Sequence, residues 1–245
     1  MIDYLYDGSF DGLLTCIFYA YNDKEASSIF REDTYHSNLF TTSKVISTEE
    51  DKATRVYTSI QKNLSHSTLS NVYYLYLSEY NDAETLILHY LRLCFKYTDK
   101  INLAKSNDVI RKVDLYAKRV GHEVHRFTGF VRFKELAPLM FYAQIEPDHF
   151  ILPLLIKHFV NRFSNQSFII HDLKRHVALI YNKKDAFLQN LSEEEHLKLM
   201  KAPQSDPFLD LFRTYYKAAT IEERINIRRR NAFIPKRYFK HLGEL

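Results

Sequence analysis

Residues 122–181 constrain the fold more than any other stretch, because their hydrophobic period changes several times over a short distance. Apolar and polar side chains alternate over residues 130–134, a period of two that predicts a half-buried strand. Residues 149–163 are apolar over a longer run and predict a helix. Further strands are predicted for three short runs of aliphatic and aromatic residues: 140–145, 168–171 and 176–181. The resulting order is β-β-α-β-β.

The start of the chain combines one strand with several helices. Alternation over Ile2–Tyr6 predicts a short strand, and the Ser9 hydroxyl is placed to cap the helix that follows. A polar connection is expected over residues 22–43. Ser47 and Glu50 then have the spacing of a capping box, and largely apolar helices follow. This part of the chain is predicted to be mostly helical.

These patterns together predict an α+β fold. The N-terminal region, residues 1–82, is expected to be mostly helical after an opening β-turn-α unit. A C-terminal α+β domain is expected over residues 83–245, with a small, mainly antiparallel sheet flanked by helices. After Tyr181 comes a polar stretch, and Ser192 with Glu195 predicts a capped helix.

Charge is distributed unevenly along the chain. Residues 1–99 hold 8 Lys and Arg against 14 Asp and Glu, whereas the whole chain has a net charge of +4. Two folded basic surfaces are therefore expected, within residues 100–134 and 221–241. Such asymmetry points to an anionic partner, with an acidic protein as the alternative to nucleic acid.

Several motifs along the whole chain resemble those of one bacterial family. They are Tyr6-Asp7-Gly8-Ser9-Phe10-Asp11-Gly12-Leu13-Leu14, His125-Arg126-Phe127, Gly129-Phe130-Val131-Arg132-Phe133, Pro147-Asp148, His158-Phe159, Arg162-Phe163, Ile170-His171-Asp172 with Arg175, and Ile234-Pro235-Lys236-Arg237-Tyr238-Phe239-Lys240-His241-Leu242. They look like those of bacterial DNA repair or DNA metabolism proteins with no established reaction. The C-terminal portion is similar to a domain of unknown function that some relatives carry fused to a uracil-DNA-glycosylase-like module. Phe239 stands where that family has a Trp, so an indole N–H donor is lost while an aromatic face is kept.

The resemblance implies a partner protein. Members of the family are typically encoded beside a radical-SAM protein, which implies a two-component system that acts on nucleic acid, with the chemistry on the partner. The first functional hypothesis is therefore an accessory nucleic-acid-binding protein, with DNA as the favoured ligand and no cofactor of its own. An alternative is an assembly protein that has no contact with nucleic acid.

Cations and aromatic residues supply the predicted nucleic-acid contacts. Cations suit phosphates and aromatic rings suit base stacking. The predicted contact residues are Arg132, Arg162, Arg175, Arg228, Arg229, Arg230, Lys236, Arg237, Tyr238 and Lys240. Arg132 is expected on the cation-bearing face of the strand, and Arg162 on the neighbouring helix, so that both guanidinium groups line one polar cavity.

The remaining alternative is a hydrolase or lyase that uses a cluster of His125, His158 and His171, with Asp172 as a carboxylate partner. Adjacent residues on a strand point to opposite faces, so Asp172 is expected instead to open a turn and pair with Arg175. The histidine spacing matches no metal-binding signature, and no metal site is predicted.

Cys16 and Cys94 lie far apart in apolar runs, which suits buried thiols in a reducing compartment. An iron–sulfur cluster would need more cysteines, so it would belong to another chain. The N-terminus is acidic, and no uncharged run reaches the length of a membrane span. A cytoplasmic protein without a membrane partner is therefore expected.

Overall fold

The computed structural model describes residues 2–23, 25–37 and 41–202, together with Thr214, Ala218, Ala219, Arg228, Tyr238 and Phe239. The described elements form a mixed α+β architecture, as the sequence predicts. The chain divides into two compact units between His122 and Glu123, called here the first unit and the second unit.

The first unit contains a parallel three-stranded sheet. Its strands are β1 (Ile2–Tyr6), β2 (Ala26–Arg31) and β3 (Thr42–Val45), in the order β2-β1-β3. Helix α1 (Phe10–Asn22) connects β1 to β2, as parallel neighbours require. The Ser9 hydroxyl accepts a hydrogen bond from the backbone N–H of Gly12 at 2.9 Å, which confirms the predicted cap.

Four further helices begin in this unit. They are α2 (Glu50–Asn63), α3 (His66–Tyr76), α4 (Ala83–Tyr97) and α5 (Asp108–Phe130), and the division between the units falls within α5. Their apolar faces enclose one core with the sheet, in which Leu13, Leu75 and Leu88 are completely buried. Burial of these faces excludes water from the backbone hydrogen bonds of the sheet and the helices and stabilises the unit.

The second unit contains a five-stranded sheet. The strands are, in their order across the sheet, β4 (Lys134–Ala137), β5 (Met140–Ile145), β6 (Ser167–Asp172), β7 (Val177–Tyr181) and β8 (Ala186–Asn190). Neighbours pair antiparallel except for β5 and β6, which are parallel. The sheet is therefore mainly antiparallel, as predicted, but mixed.

Two helices flank this sheet. Helix α6 (Leu152–Arg162) connects β5 to β6, and a crossover of this kind makes the two strands parallel. Pro153 lies in its first turn, where a missing N–H breaks no helical bond. Helix α7 (Glu193–Lys201) begins with the predicted capping box of Ser192 and Glu195. Phe133, Phe159 and Phe168 pack edge to face in the core.

The strand predicted over residues 130–134 is wrong. Helix α5 continues through Phe130, and the strand begins only at Lys134. Residues Val120, Glu123 and Phe127 are buried at helical spacing, and this burial outweighs the local alternation. Arg132 therefore lies between the helix and the strand, not on a strand face.

Three strands were also missed. Strand β2 lies within the predicted polar connection, β3 begins at its end, and β8 lies within the polar stretch after Tyr181. All four residues of β3 and four of the five in β8 are exposed, so neither strand has the apolar alternation that a half-buried strand shows. The predicted capping box at Ser47 is also wrong, because Glu49 is the N-cap of α2 and makes no side-chain cap bond.

Candidate functional site

A chain of hydrogen-bonded side chains crosses the interior of the second unit. The Tyr142 hydroxyl lies 2.8 Å from His171 Nδ1, and His171 Nε2 lies 3.0 Å from His196 Nδ1. These residues come from β5, β6 and α7, and they are 1%, 0% and 7% exposed respectively. We call Tyr142, His171 and His196 the buried histidine chain.

Neutral imidazole rings are sufficient to form both hydrogen bonds of this chain. If the tyrosine hydroxyl donates to Nδ1 of His171, then Nε2–H of His171 donates to Nδ1 of His196, and every one of these polar atoms has a partner. Burial lowers the pKa of His171 to about 4, with further contributions from His196 and His176. Burial also raises the pKa of Tyr142 to about 12. His171 and Tyr142 are therefore uncharged at neutral pH.

His176 covers the outer end of the chain. Its ring stacks on that of His196 with centroids 3.8 Å apart and planes 20° from parallel. His176 Nδ1 lies 3.4 Å from an oxygen of Glu193, the first residue of α7. The ring stack and this contact join the turn between β6 and β7 to the start of α7.

Asp172 opens the turn from β6 to β7, as the sequence predicts. Its Oδ1 accepts hydrogen bonds from the backbone N–H groups of Lys174 and Arg175 at 3.0 and 3.3 Å. Arg175 Nη1 donates to Oδ2 at 2.7 Å, and the same guanidinium donates to the carbonyls of Pro147 and Asp148. Burial raises the pKa of Asp172, although Arg175 opposes the shift. Arg175 therefore has a structural role in this turn.

The structure does not assemble the three histidines of the enzyme hypothesis. His125 is exposed on α5, and the ring of His158 on α6 packs edge to face against Phe159. Within the described part of the chain, no hydrogen bond or ring contact joins either of them to His171. No group of three or more His, Cys, Asp or Glu side chains among the described residues is arranged to hold a metal ion.

Tyr238 lies in the interior of the second unit. It is 2% exposed, and its hydroxyl donates to Glu123 Oε1 at 2.9 Å. Its ring packs against Phe127 and Phe130 at 5.0 and 5.8 Å. The same carboxylate accepts the backbone N–H groups of Asp148 and His149. A ring that is covered in this way offers no face to a nucleic-acid base, so the structure corrects the predicted stacking role of Tyr238.

Of the other predicted contact residues, three lie in the described part of the chain and five lie outside it. Arg132 Nη1 donates to the carbonyl of Gly129 at 2.6 Å, whereas Arg162 is exposed beside the ring of Phe163. Arg228 is exposed. The remaining five lie outside the described residues: Arg229, Arg230, Lys236, Arg237 and Lys240.

Helix α5 carries an exposed basic stripe. Arg111, Lys118, His122 and His125 lie on one helical face at spacings of seven, four and three, and Arg126 borders it. Arg111 pairs with Asp108 at 2.7 Å. In the described part of the chain, Lys118 and Arg126 make neither a hydrogen bond nor an ion pair, so both cations are available to an anion.

Sequence reasoning missed Tyr142 and His196 as partners of His171. Residues 140–145 and 168–171 were each predicted as a strand, but the pairing of β5 with β6 depends on the α6 crossover. His196 follows the capping box of α7, and that box predicts where the helix begins but not what it packs against. No local signal could have joined the three residues.

The described elements define a mixed α+β protein with a buried, hydrogen-bonded histidine chain in its second unit. Its family follows from the C-terminal part, because residues 81–244 match the model of DUF4130, a domain of unknown function, and the chain belongs to that family. No curated protein and no solved structure matches the chain significantly. In the described residues, no helix combines the length and the apolar character that crossing a bilayer requires.

Proposed function

We propose that this protein is an accessory nucleic-acid-binding component of a DNA repair or modification system, working in the cytoplasm with a radical-SAM partner. The resemblance of its motifs supports the repair context and the partner. The uneven charge supports an anionic ligand, because residues 100–245 carry the positive charge of the chain while residues 1–99 have an excess of acidic residues.

The exposed basic stripe of α5 is the observation that carries this proposal. Cations of a binding surface must be able to exchange water and counterions for phosphates, and a side chain held in an internal ion pair does so less readily. Lys118 and Arg126 meet this condition, and the exposed imidazoles of His122 and His125 lie beside them. Contacts to phosphates carry no direct sequence information, so such a surface supports binding without sequence preference.

Removal of the two available cations tests the proposal. Each phosphate contact makes log K fall with log salt by about 0.9 on duplex DNA and about 0.7 on single strands. The double variant Lys118→Ala/Arg126→Ala should therefore weaken binding and reduce the salt slope by about 1.4 to 1.8. Fluorescence anisotropy of labelled DNA and RNA oligonucleotides over a salt series measures both quantities.

The matched control is Lys62→Ala/Lys184→Ala, which removes two exposed cations on other elements and should leave the slope unchanged. Equal slopes in all three proteins would contradict a binding surface on α5. Absence of any nucleic-acid binding, combined with stable co-purification of an acidic protein, would favour the assembly hypothesis. Co-expression with the neighbouring radical-SAM protein tests the partner separately, and the two chains should elute together.

A further inference from the structure

A cavity of about 530 Å³ lies in the first unit, beside the end of β2 and the start of α4. Its volume is within the range of small-molecule sites. Its lining includes the aromatic residues Phe30, Tyr35 and Tyr80 and the charged pair of Arg31 and Glu84. This cavity shares no lining residue with the α5 stripe or with the buried histidine chain, and the proposed function does not use it.

The charged pair has unused hydrogen-bonding capacity. Arg31 Nε donates to Glu84 Oε1 at 3.0 Å, and the Tyr6 hydroxyl donates to the same oxygen at 3.1 Å. The Glu84 side chain is only 8% exposed, yet its second oxygen, Oε2, has no hydrogen bond to any described residue. Arg31 also donates through Nη2 to the carbonyl of Tyr76 at 3.3 Å, and these two hydrogen bonds use two of the five N–H groups of the guanidinium.

Glu84 and Arg31 are ion-paired and both line the cavity, so an acceptor and a donor are neighbours at its wall. A carboxylate oxygen accepts an N–H, and a guanidinium N–H donates to a carbonyl oxygen. Their natural complement is a ring edge on which an N–H and a C=O are neighbours, which is a lactam edge.

The aromatic residues favour a planar ligand. The rings of Phe30 and Tyr35 lie 5.5 Å apart, and Tyr80 is held in place by stacking on Tyr116 with centroids 3.7 Å apart. Aromatic faces that line a cavity provide stacking surfaces for a flat heteroaromatic ring. Stacking and the polar pair together select for a heterocycle over a sugar or an alkyl chain.

The negative charge of the cavity lining disfavours a polyanionic ligand. The carboxylates of Asp3, Glu79 and Glu84 line the cavity, against the single guanidinium of Arg31. Asp3 is 5% exposed and accepts hydrogen bonds from the hydroxyls of Ser27 and Tyr35, so its carboxylate is a fixed part of the wall. Negative potential in a cleft repels phosphate groups.

We propose that this cavity binds a nucleobase with a lactam edge, as the free base or the nucleoside. Guanine, hypoxanthine, uracil and thymine carry this edge, and adenine does not. Glu84 accepts the ring N–H and Arg31 donates to the ring carbonyl, while the aromatic rings cover the faces of the base. The ligand is uncharged, in contrast to the polyanion expected at α5.

Isothermal titration calorimetry of the unmodified protein with guanosine, adenosine and guanosine monophosphate tests this proposal. Guanosine should bind, adenosine should bind at least about tenfold more weakly because its edge leaves the pair unmatched, and the monophosphate should bind more weakly than guanosine. Equal affinity for guanosine and adenosine would overturn the lactam edge. Absence of guanosine binding would overturn the site.

A pair of variants locates the binding. Thr34 is exposed at the rim of the cavity, and Thr34→Trp should fill the space and weaken guanosine binding at least about tenfold. Thr54 is exposed on α2 away from the cavity, so Thr54→Trp introduces the same side chain and should bind normally. Circular dichroism verifies that both are folded. Unchanged binding in Thr34→Trp would place the ligand elsewhere. Failure of the α5 variants to change DNA binding would leave these results unaffected.

Discussion

His171 and Asp172 are neighbours on β6, both are fully buried, and burial disfavours the charged form of each. For the histidine this lowers the pKa, and for the aspartate it raises the pKa. Asp172 keeps Arg175 as an ion-pair partner, whereas the hydrogen-bond partners of His171 are a phenol and another imidazole. Protonation of His171 is therefore disfavoured in these surroundings.

The buried histidine chain should make the stability of the protein depend on pH. Unfolded histidine titrates near 6.5, and folded His171 titrates near 4, so its neutral form is favoured by folding. This contribution is fully present above about pH 6.5 and is lost as the pH falls towards 4, with a total on the order of 3 kcal/mol. Urea unfolding between pH 4 and 8 measures the free energy of unfolding across this window.

The free energy of unfolding of the variant His171→Phe should depend less on pH than that of the unmodified protein. At neutral pH the variant should be less stable, because Tyr142 and His196 lose their hydrogen-bond partner. His125→Phe is the matched control, since His125 is exposed and should leave the dependence unchanged. Parallel pH profiles for His171→Phe and the unmodified protein would show that another group is responsible.

Tyr238→Phe should destabilise the protein without affecting contacts with a base. The change removes the hydroxyl that donates to Glu123, and a buried carboxylate that loses a donor costs about 1–3 kcal/mol. Urea unfolding followed by circular dichroism measures this loss. Tyr57→Phe is the control, because Tyr57 is 39% exposed on α2 and should be nearly neutral. Equal stability of the two variants would exclude a structural role for the hydroxyl.

At the level of elements, α5 shows how tertiary burial extends a helix. Val120, Glu123 and Phe127 are buried at helical spacing, and Phe127 and Phe130 pack on Tyr238, more than one hundred residues later in the chain. The helix therefore continues where local alternation predicted a strand. Its opposite face is exposed and basic, as expected of an amphipathic helix with a charged outer surface.

The second basic surface that the sequence predicts, within residues 221–241, gives a prediction that is independent of α5. If Arg228, Arg229 and Arg230 contact phosphates, changing all three to Ala should reduce the salt slope of binding by roughly two to three units. Anisotropy over a salt series measures the slope, after circular dichroism has shown that the variant is folded. An unaltered slope would assign nucleic-acid contacts to α5 alone or point to a protein partner.

At the scale of the whole molecule, the two cysteines are isolated from each other in sequence and are poor metal ligands. Cys16 and Cys94 are buried free thiols, and burial raises the pKa of Cys16 to about 12 and that of Cys94 to about 11, which disfavours the thiolate that binds metals. Elemental analysis of untagged protein should therefore find no transition metal in stoichiometric amount. One equivalent of zinc or iron would contradict this prediction.

The candidate cavity and the excess of basic residues lie in different parts of the sequence. The acidic first part contains a cavity lined by aromatic residues, and the excess of basic residues follows later in the sequence. The family match covers residues 81–244, whereas the compact units divide between His122 and Glu123. The family match therefore begins inside the first unit. It includes α4 and Glu84, which lines the cavity.

The amino-acid sequence by itself determined the elements whose signals are local. Strand β1, the Ser9 cap of α1, strand β5, the capping box of α7 and the turn of Asp172 with Arg175 were all predicted, because each depends on side chains within a few residues. The α+β class followed from the same signals. Charge asymmetry is likewise a property of the sequence alone.

Only the tertiary structure decided which distant residues meet. Strands β3 and β8 pair through backbone hydrogen bonds and have few buried side chains, so their sequences carry little apolar pattern. The partnership of His171 with Tyr142 and His196 depends on the β5–α6–β6 crossover and on where α7 packs. Tyr238 has the residue type of a base-stacking platform, but contacts with Glu123 and Phe127 bury it. Pairing and burial are set by the whole chain, because each gains free energy only when residues far apart in sequence come together.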